Sequence, residues 1–324
     1  MKNLGKVASA VIAVILVSLG VTALVIRSGA LAPSEQELRA KYMLPTSRMI
    51  EIDGAPIHYS DEGQGPVILM VHGTFGNLRM WNDWAVVLAD RYRIIRFDRP
   101  PFGLSGPDPE GRYGADREAE IIAGLVRELG LTRFFLVATS SGGQSVTRYA
   151  AQHPDQIIGV VLSNIATGPP PGVFVDHRNT WFTLQSRKVS RYLNGWHPAA
   201  EWRDVLKTNF VNHDRITESL VTEYQELNNR PASYLASLAP RPAVSASART
   251  PDDLKAIVAP ALVLWSENDS ERPPQPVAEE AMRLLGSADK TLTIVPRCEH
   301  MMPVDCGPES AVAAAAFFDR ISGN

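Results

Sequence analysis

Four stretches of this 324-residue chain are apolar almost throughout: residues 67–71 (VILMV), 93–97 (RIIRF), 134–138 (FFLVA) and 157–162 (IIGVVL). A strand with one wet face alternates apolar and polar side chains, so runs of this kind belong to strands covered on both faces. Helical patterns lie between them; Ile121, Ile122, Leu125, Val126 and Leu129 repeat at one-face spacing. Buried strands alternating with helices predict an α/β fold in which a mostly parallel central sheet is flanked by helices. Two further runs, 261–265 (ALVLW) and 291–295 (TLTIV), extend the sheet, with helices expected at 278–285 and 310–321. Ahead of the first run, 49–52 and 56–59 read as short strands joined by Asp53-Gly54, which is hairpin chemistry.

The alternation breaks once. From Gly168-Pro169-Pro170-Pro171-Gly172 to residue 249 no strand of the buried type occurs, and aromatics (Phe174, Trp181, Phe182, Tyr192, Trp196, Trp202, Phe210, Tyr224, Tyr234) are spread among helix-like polar stretches. Residues 168–249 are therefore expected to form a helical insertion, with 49–167 and 250–324 as the core. At 45% hydrophobic and 21% charged residues, a chain of this length can bury a large core. A net charge of −3, with no Lys/Arg run interleaved with aromatics, argues against nucleic acid as a partner.

The amino terminus departs from this average composition. Residues 7–26 (VASAVIAVILVSLGVTALVI) are uncharged, and about 20 residues at 1.5 Å rise match the hydrocarbon span of a bilayer. Residues 1–27 are expected to be a transmembrane anchor and 28–48 a linker carrying one short helix, since Ser34 and Glu37 have the capping-box spacing. A cleavable signal is the rival reading, because Ala30-Leu31-Ala32 has the small-x-small form. The apolar stretch is long for a signal, and Pro33 would follow the cut. The terminal amine, Lys2 and Lys6 outweigh Arg27, which places the N-terminus in the cytoplasm and the rest of the chain on the outer side of the membrane.

Cys298 and Cys306 have no C-x-x-C or metal spacing, and the seven histidines include no H-x-x-x-H pair, so neither a metal nor another cofactor is expected. Eight positions apart, the cysteines can close a small loop in an oxidising compartment or remain two thiols.

The stretch 133–150 (RFFLVATSSGGQSVTRYA) passes from a strand into a helix through two serines and two glycines. A sharp strand-to-helix turn can thrust one side chain out at the sheet's C-terminal edge, and it crowds the residues two before and two after. For Ser140 these are Ala138 and Gly142; for Ser141 they are Thr139 and Gly143, and a β-branched threonine fits poorly. Ser140 is the exposed hydroxyl by this argument. Ser141 would offer its backbone N–H at the start of the following helix.

At this point the sequence resembles the α/β-hydrolase family, from residue 49 to the C-terminus. LVATSSGG is similar to the family's G-x-S-x-G nucleophile elbow, with Ala138 in place of the first glycine. VHGTFG (71–76) resembles its His-Gly oxyanion loop, and FDRPPFGLS (97–105) its D-x-P-G-x-G-x-S segment, with Pro101 where glycine is usual. LVLWSENDS (262–270) resembles the strand end that carries the acid and VPRCEHMMP (295–303) the loop that carries the histidine, in the family's order of Ser, Asp, His. The resemblance implies an α/β-hydrolase fold with a helical cap.

A serine hydroxyl needs an imidazole to take its proton, and the imidazole needs a carboxylate to hold its tautomer. His300 is the candidate base and Asp269 the candidate acid, preferred over Glu267 and Glu299, while Ser163-Asn164-Ile165 offers no carboxylate after the preceding strand. The other histidines are expected to be bystanders: His58 and His153 beside sheet or helix edges, His177, His197 and His213 in the insertion. Ser141 N–H, with Thr74 or Phe75 N–H, is expected to bind the oxyanion, while His72 and Asp98 support the loops. Serine at position 140, rather than the aspartate of related dehalogenases and epoxide hydrolases, implies hydrolysis of a small-molecule acyl substrate through an acyl-enzyme. A carboxylic ester is the expected substrate, lipid-derived or otherwise amphipathic if the cap encloses an apolar pocket. The alternatives are other chemistry of the same family (peptide, lactone, thioester or carbon–carbon hydrolysis, perhydrolysis) and a catalytically inactive binding module.

Overall fold

The structure, a computed structural model, describes residues 2–168, 192–230 and 246–323. The first half of the chain forms helices α1 (Lys2–Arg27) and α2 (Glu35–Tyr42), strands β1 (Ser47–Ile52), β2 (Ala55–Glu62) and β3 (Val67–Val71), α3 (Asn82–Leu88), β4 (Arg93–Phe97), α4 (Ala115–Glu128), β5 (Phe134–Thr139), α5 (Gly142–Gln152) and β6 (Ile157–Ser163). The described part of the second half forms α6 (Ala199–Thr208), α7 (Glu218–Asn228), α8 (Thr250–Ala256), β7 (Ala261–Ser266), α9 (Pro274–Leu284), β8 (Lys290–Val295), α10 (Met302–Asp305) and α11 (Gly307–Ser322).

The strands make one sheet in the order β1-β2-β4-β3-β5-β6-β7-β8. β2 runs antiparallel to both β1 and β4, and every other neighbouring pair is parallel. The pleat divides each central strand between two cores. Leu69, Val71, Phe134, Leu136 and Ala138 face one side, where α4, α5 and α9 pack. Ile68, Met70, Phe135 and Val137 face the other, against α3 and α11. Strands covered on both sides explain the continuous apolar runs.

Along Ser9–Arg27, helix α1 has a mean hydropathy of 2.7 and is 0% buried. By length and composition it can cross a membrane. Its C-terminal end touches the insertion, where the Arg27 guanidinium lies 4.9 Å over the Tyr192 ring and Asn194 Nδ2 donates to Arg27 O at 3.0 Å. The segment after it is not a free linker. The capping box on α2 forms as expected, but Leu38 and Tyr42 are buried with Leu104 and Leu227, and Arg230 pairs with Glu35 at 2.7 Å. Two apolar side chains one helical turn apart gave α2 a face to bury, so it packs on the body.

Candidate active site

The turn after β5 shows why small residues gather there. Ser140 sits at φ +52°, in the left-handed region, and its N–H donates to Ser163 O at 2.9 Å. A side chain at Gly142 would place its Cβ 2.5 Å from His72 O and 2.9 Å from Val71 O; one at Gly143 would meet Ile165 Cγ2 at 2.4 Å. Neither position has room for a methyl. Helix α5 is thereby pressed onto β3 and the end of β6, and Ser140 stands at the sheet's C-terminal edge.

His300 and Asp269 meet Ser140 there. His300 Nε2 lies 2.9 Å from Ser140 Oγ, and His300 Nδ1 lies 2.9 Å from Asp269 Oδ2. A carboxylate only accepts, so Nδ1 carries the proton and Nε2 presents its lone pair to the serine hydroxyl. Asp269 and His300 are buried, at 2% and 5% exposure, which protects the pair from competing water.

The donors proposed for an oxyanion lie beside Ser140. Thr74, Phe75 and Ser141 line the same cavity, and among the described residues their backbone N–H groups have no protein acceptor. Phe75 stands at φ +62° and Thr74 Oγ1 is 2.8 Å from Ser141 Oγ, a contact that ties the β3 loop to the start of α5.

His72 and Asp98 act as braces. His72 Nδ1 donates to Gly73 O at 2.7 Å, and Nε2 accepts from Arg99 N at 2.8 Å. Burial, with the nearby Arg99 charge, pushes the His72 pKa down to about 3, so the ring is neutral. Asp98 accepts from Leu78 N at 2.6 Å, Leu104 N at 2.7 Å and His58 Nδ1 at 2.7 Å. Burial alone would raise the Asp98 pKa, but the His58 imidazole and the Leu104 N–H outweigh it and hold the carboxyl below its ordinary value. His58, expected at a sheet edge, is instead 1% exposed inside β2; its second nitrogen meets Ser47 Oγ at 2.8 Å, so the sheet gains a buried polar post.

Comparison with known proteins agrees with the fold. The family model described as alpha/beta hydrolase fold matches residues 66–305. The chain belongs to the α/β-hydrolase family.

Haloalkane dehalogenase 2 of Mycobacterium bovis is 27% identical over 288 residues, covering 83% of this chain and 93% of that relative. The 2-hydroxy-6-oxo-6-phenylhexa-2,4-dienoate hydrolase of Comamonas testosteroni is 24% identical over 255 residues, 75% of this chain and 84% of the relative. Among solved structures, a membrane phospholipase A described as a bacterial virulence factor superposes with a TM-score of 0.69 at 22% identity over 100% of both chains. A thermophilic esterase from Thermogutta terrifontis gives 0.69 at 21% identity, over 85% of this chain and 99% of the other.

Within this α/β hydrolase, several site residues were not foreseen from the sequence. Asn164, at the end of β6, donates to His300 O at 2.9 Å and Ser266 Oγ at 2.8 Å and accepts from Ser266 N at 2.9 Å. One amide thus fixes both loops that carry Asp269 and His300. Glu299 accepts from Ser270 N at 2.7 Å while its own N–H donates to Asp305 Oδ2 at 2.7 Å. Burial raises the Glu299 pKa, the Ser270 bonds oppose this and the Asp269 charge adds to it. Of the two states the cysteine spacing allows, the structure has the closed one: Cys298 and Cys306 form a disulfide that closes the His300 loop. Arg272, three residues past Asp269, donates its N–H to Asp269 Oδ1 at 2.7 Å and brings Nη1 within 3.0 Å of His300 Nε2.

The cavity over Ser140 has a volume of about 250 Å³. The insertion was expected to supply an apolar pocket; among the described residues the walls are mixed, with Phe75, Val205, Tyr224 and Met301 beside Asn209, Glu271 and Arg272. Trp202 and Phe210 are buried with Leu206, Val221 and Tyr224 where α6 and α7 meet, with Met301 and Val304 packed against them and the Trp202 ring edge-on to Phe75 at 5.4 Å. Phe174, Trp181, Phe182, His177 and Tyr234 lie outside the described residues.

Proposed function

We propose that this hydrolase cleaves a carboxylic ester through a covalent acyl-enzyme. Its family supports hydrolysis; the ester reading rests on the unbroken hydrogen-bond chain from Ser140 Oγ through His300 to Asp269, with a hydroxyl rather than a carboxylate at the nucleophile position. Ser140 Oγ adds to the acyl carbonyl as its proton passes to His300 Nε2, and Asp269 holds the ring in the tautomer that can accept it. Ser141 N–H and an N–H from Thr74 or Phe75 receive the charge that develops on the carbonyl oxygen. His300 then gives the proton to the departing alkoxide. Water, deprotonated by the same nitrogen, attacks the acyl-serine, and the second collapse restores Ser140.

Helix α1 anchors the chain, the N-terminus lies in the cytoplasm, and the catalytic body lies on the outer side, where an oxidising environment keeps Cys298 joined to Cys306. Alkaline carbonate washing should leave the full chain with the membrane; release of intact protein would remove the anchor from the account. The chemistry is tested with 4-nitrophenyl esters mixed rapidly with the body lacking residues 1–32. A burst followed by a slower steady state, with a Ser140-linked acyl group in the quenched peptide map, is expected. Turnover without any serine adduct at acid quench would contradict a covalent route.

A further inference from the structure

Tyr224 stands between two cavities. Alone among the described residues, it lines both the space over Ser140, of about 250 Å³, and a second space of about 580 Å³. The second is lined by residues of α2, α3, α7 and α10, with Met80, Leu220, Pro303 and Val304 as its apolar part.

The ring is held in place over the site by its surroundings. Tyr224 belongs to the buried stripe Val221, Tyr224, Leu227, which recurs at helical spacing along α7. One turn further on, Asn228 Nδ2 donates to Tyr224 O at 2.9 Å and to Phe75 O at 3.0 Å. That amide ties the end of α7 to the loop carrying Thr74 and Phe75, and so fixes how far Tyr224 stands from the nucleophile. The Trp202 ring backs it, with centroids 6.4 Å apart. The Tyr224 hydroxyl is buried and has no hydrogen-bond partner. A buried hydroxyl in that state gives up its hydration and gains no bond, so the ring, and the volume it fills, is what this position uses.

The volume on the Ser140 side is small. At 250 Å³ it equals the liquid share of about eight waters and falls below the roughly 300 to 1,000 Å³ of pockets that enclose drug-sized ligands. An ester group and a few carbons fill it. A longer chain meets a buried aromatic ring, and forcing methylenes into occupied space costs more than their removal from water returns. With the ring cut back, the same chain would pass into the second cavity.

We infer that Tyr224 is the end wall of the substrate site and restricts the enzyme to short-chain esters. The inference rests on the hydrolytic reading above and deepens it. Because the wall acts through its volume, phenylalanine should replace tyrosine without changing the limit, and a small residue should lift it.

The test uses two series of esters on the purified full chain, each compound below its solubility limit. Methyl acetate, butanoate and octanoate lengthen the acyl side; methyl, butyl and octyl acetate lengthen the alcohol side. In at least one series the wild type should lose about tenfold or more in kcat/KM between the butyl-length and octyl-length members. Tyr224→Phe should keep that loss. Tyr224→Ala, or Tyr224→Leu should the alanine variant not fold, should raise the ratio of long to short by about tenfold. A wild type that takes the longest members of both series as readily as the shorter ones, or a folded Tyr224→Ala with the wild-type ratio, overturns the inference. Fluorophosphonates carrying an ethyl or an octyl chain read the same wall through the rate of Ser140 labelling, without turnover. Octyl labelling that is slow in the wild type and fast in Tyr224→Ala keeps the wall even if no ester is hydrolysed. Ester hydrolysis whose chain-length profile ignores Tyr224 keeps the hydrolase and removes the wall.

Discussion

The two sides of the site are held by different forces. On the nucleophile side, Ser140 is placed by contact: β5 is buried along its whole length, and Gly142 and Gly143 allow α5 to approach within distances that no side chain would permit. On the opposite side, Asp269 and His300 sit on loops after β7 and β8, held by the Asn164 amide, the Glu299 carboxylate and the Cys298–Cys306 disulfide. Packing fixes one side and polar or covalent ties fix the other. Added atoms should therefore disrupt the first, and lost partners the second.

The largest effect should come from the polar side. Asp269→Asn removes the carboxylate that sets the His300 tautomer, and an amide can donate where only acceptance serves; kcat should fall by about 10⁴-fold with the fold intact by circular dichroism. A loss of less than about tenfold would mean that another group orients the ring. Gly142→Val probes the packed side. Its branched side chain has to enter the space already filled by His72 O and Val71 O, so urea melts should show a loss of about 3 kcal/mol or more. Unchanged stability would show that the α5 contact gives way.

Smaller effects follow. The double variant Cys298→Ser/Cys306→Ser opens a loop closed across 8 positions. Chain entropy assigns such closure about 2 to 3 kcal/mol, so the melt should shift by that amount, and kcat should fall as the His300 loop loosens. The smallest is the effect of acidity on the brace. His72 is pushed down to about 3 from an ordinary 6.5, so the unfolded chain takes up a proton there that the folded one refuses. Stability from this group is complete above the unfolded value and falls with acidity, by about 2 kcal/mol from pH 7 to pH 5. Asp98, held below its ordinary 3.8, gives up its contribution only in stronger acid and leaves that interval to His72. Equal urea midpoints at pH 7 and pH 5 would contradict the buried neutral ring.

The same contrast explains what could be read from the sequence. The sheet was legible because apolar runs mark strands covered on both faces, and the choice of Ser140 over Ser141 was legible because the crowding is local, within two residues of the turn. Strand ends were less so: β5, β6 and β7 each run one residue further, to Thr139, Ser163 and Ser266, since ladder hydrogen bonds do not depend on side-chain polarity. The ties on the loop side were hidden. Asn164 reaches His300 across 136 positions and Arg272 reaches Ser140 across 132, and no spacing rule connects residues so far apart. Nothing in an asparagine after β6 distinguishes a scaffold from a turn residue until β7 and β8 are folded beside it. The aromatics of the insertion were legible only in part for a related reason: composition shows that apolar surface must be buried, and only tertiary packing decides that Tyr224 lines the cavity while Trp202 and Phe210 are buried between helices.

The account depends on one hydroxyl, and a fluorophosphonate probe followed by peptide mapping examines it most directly. The probe should modify the wild type at Ser140, fail on Ser140→Ala and still react with Ser141→Ala. Labelling that survives in Ser140→Ala, or disappears in a folded Ser141→Ala while Ser140 remains, would contradict it.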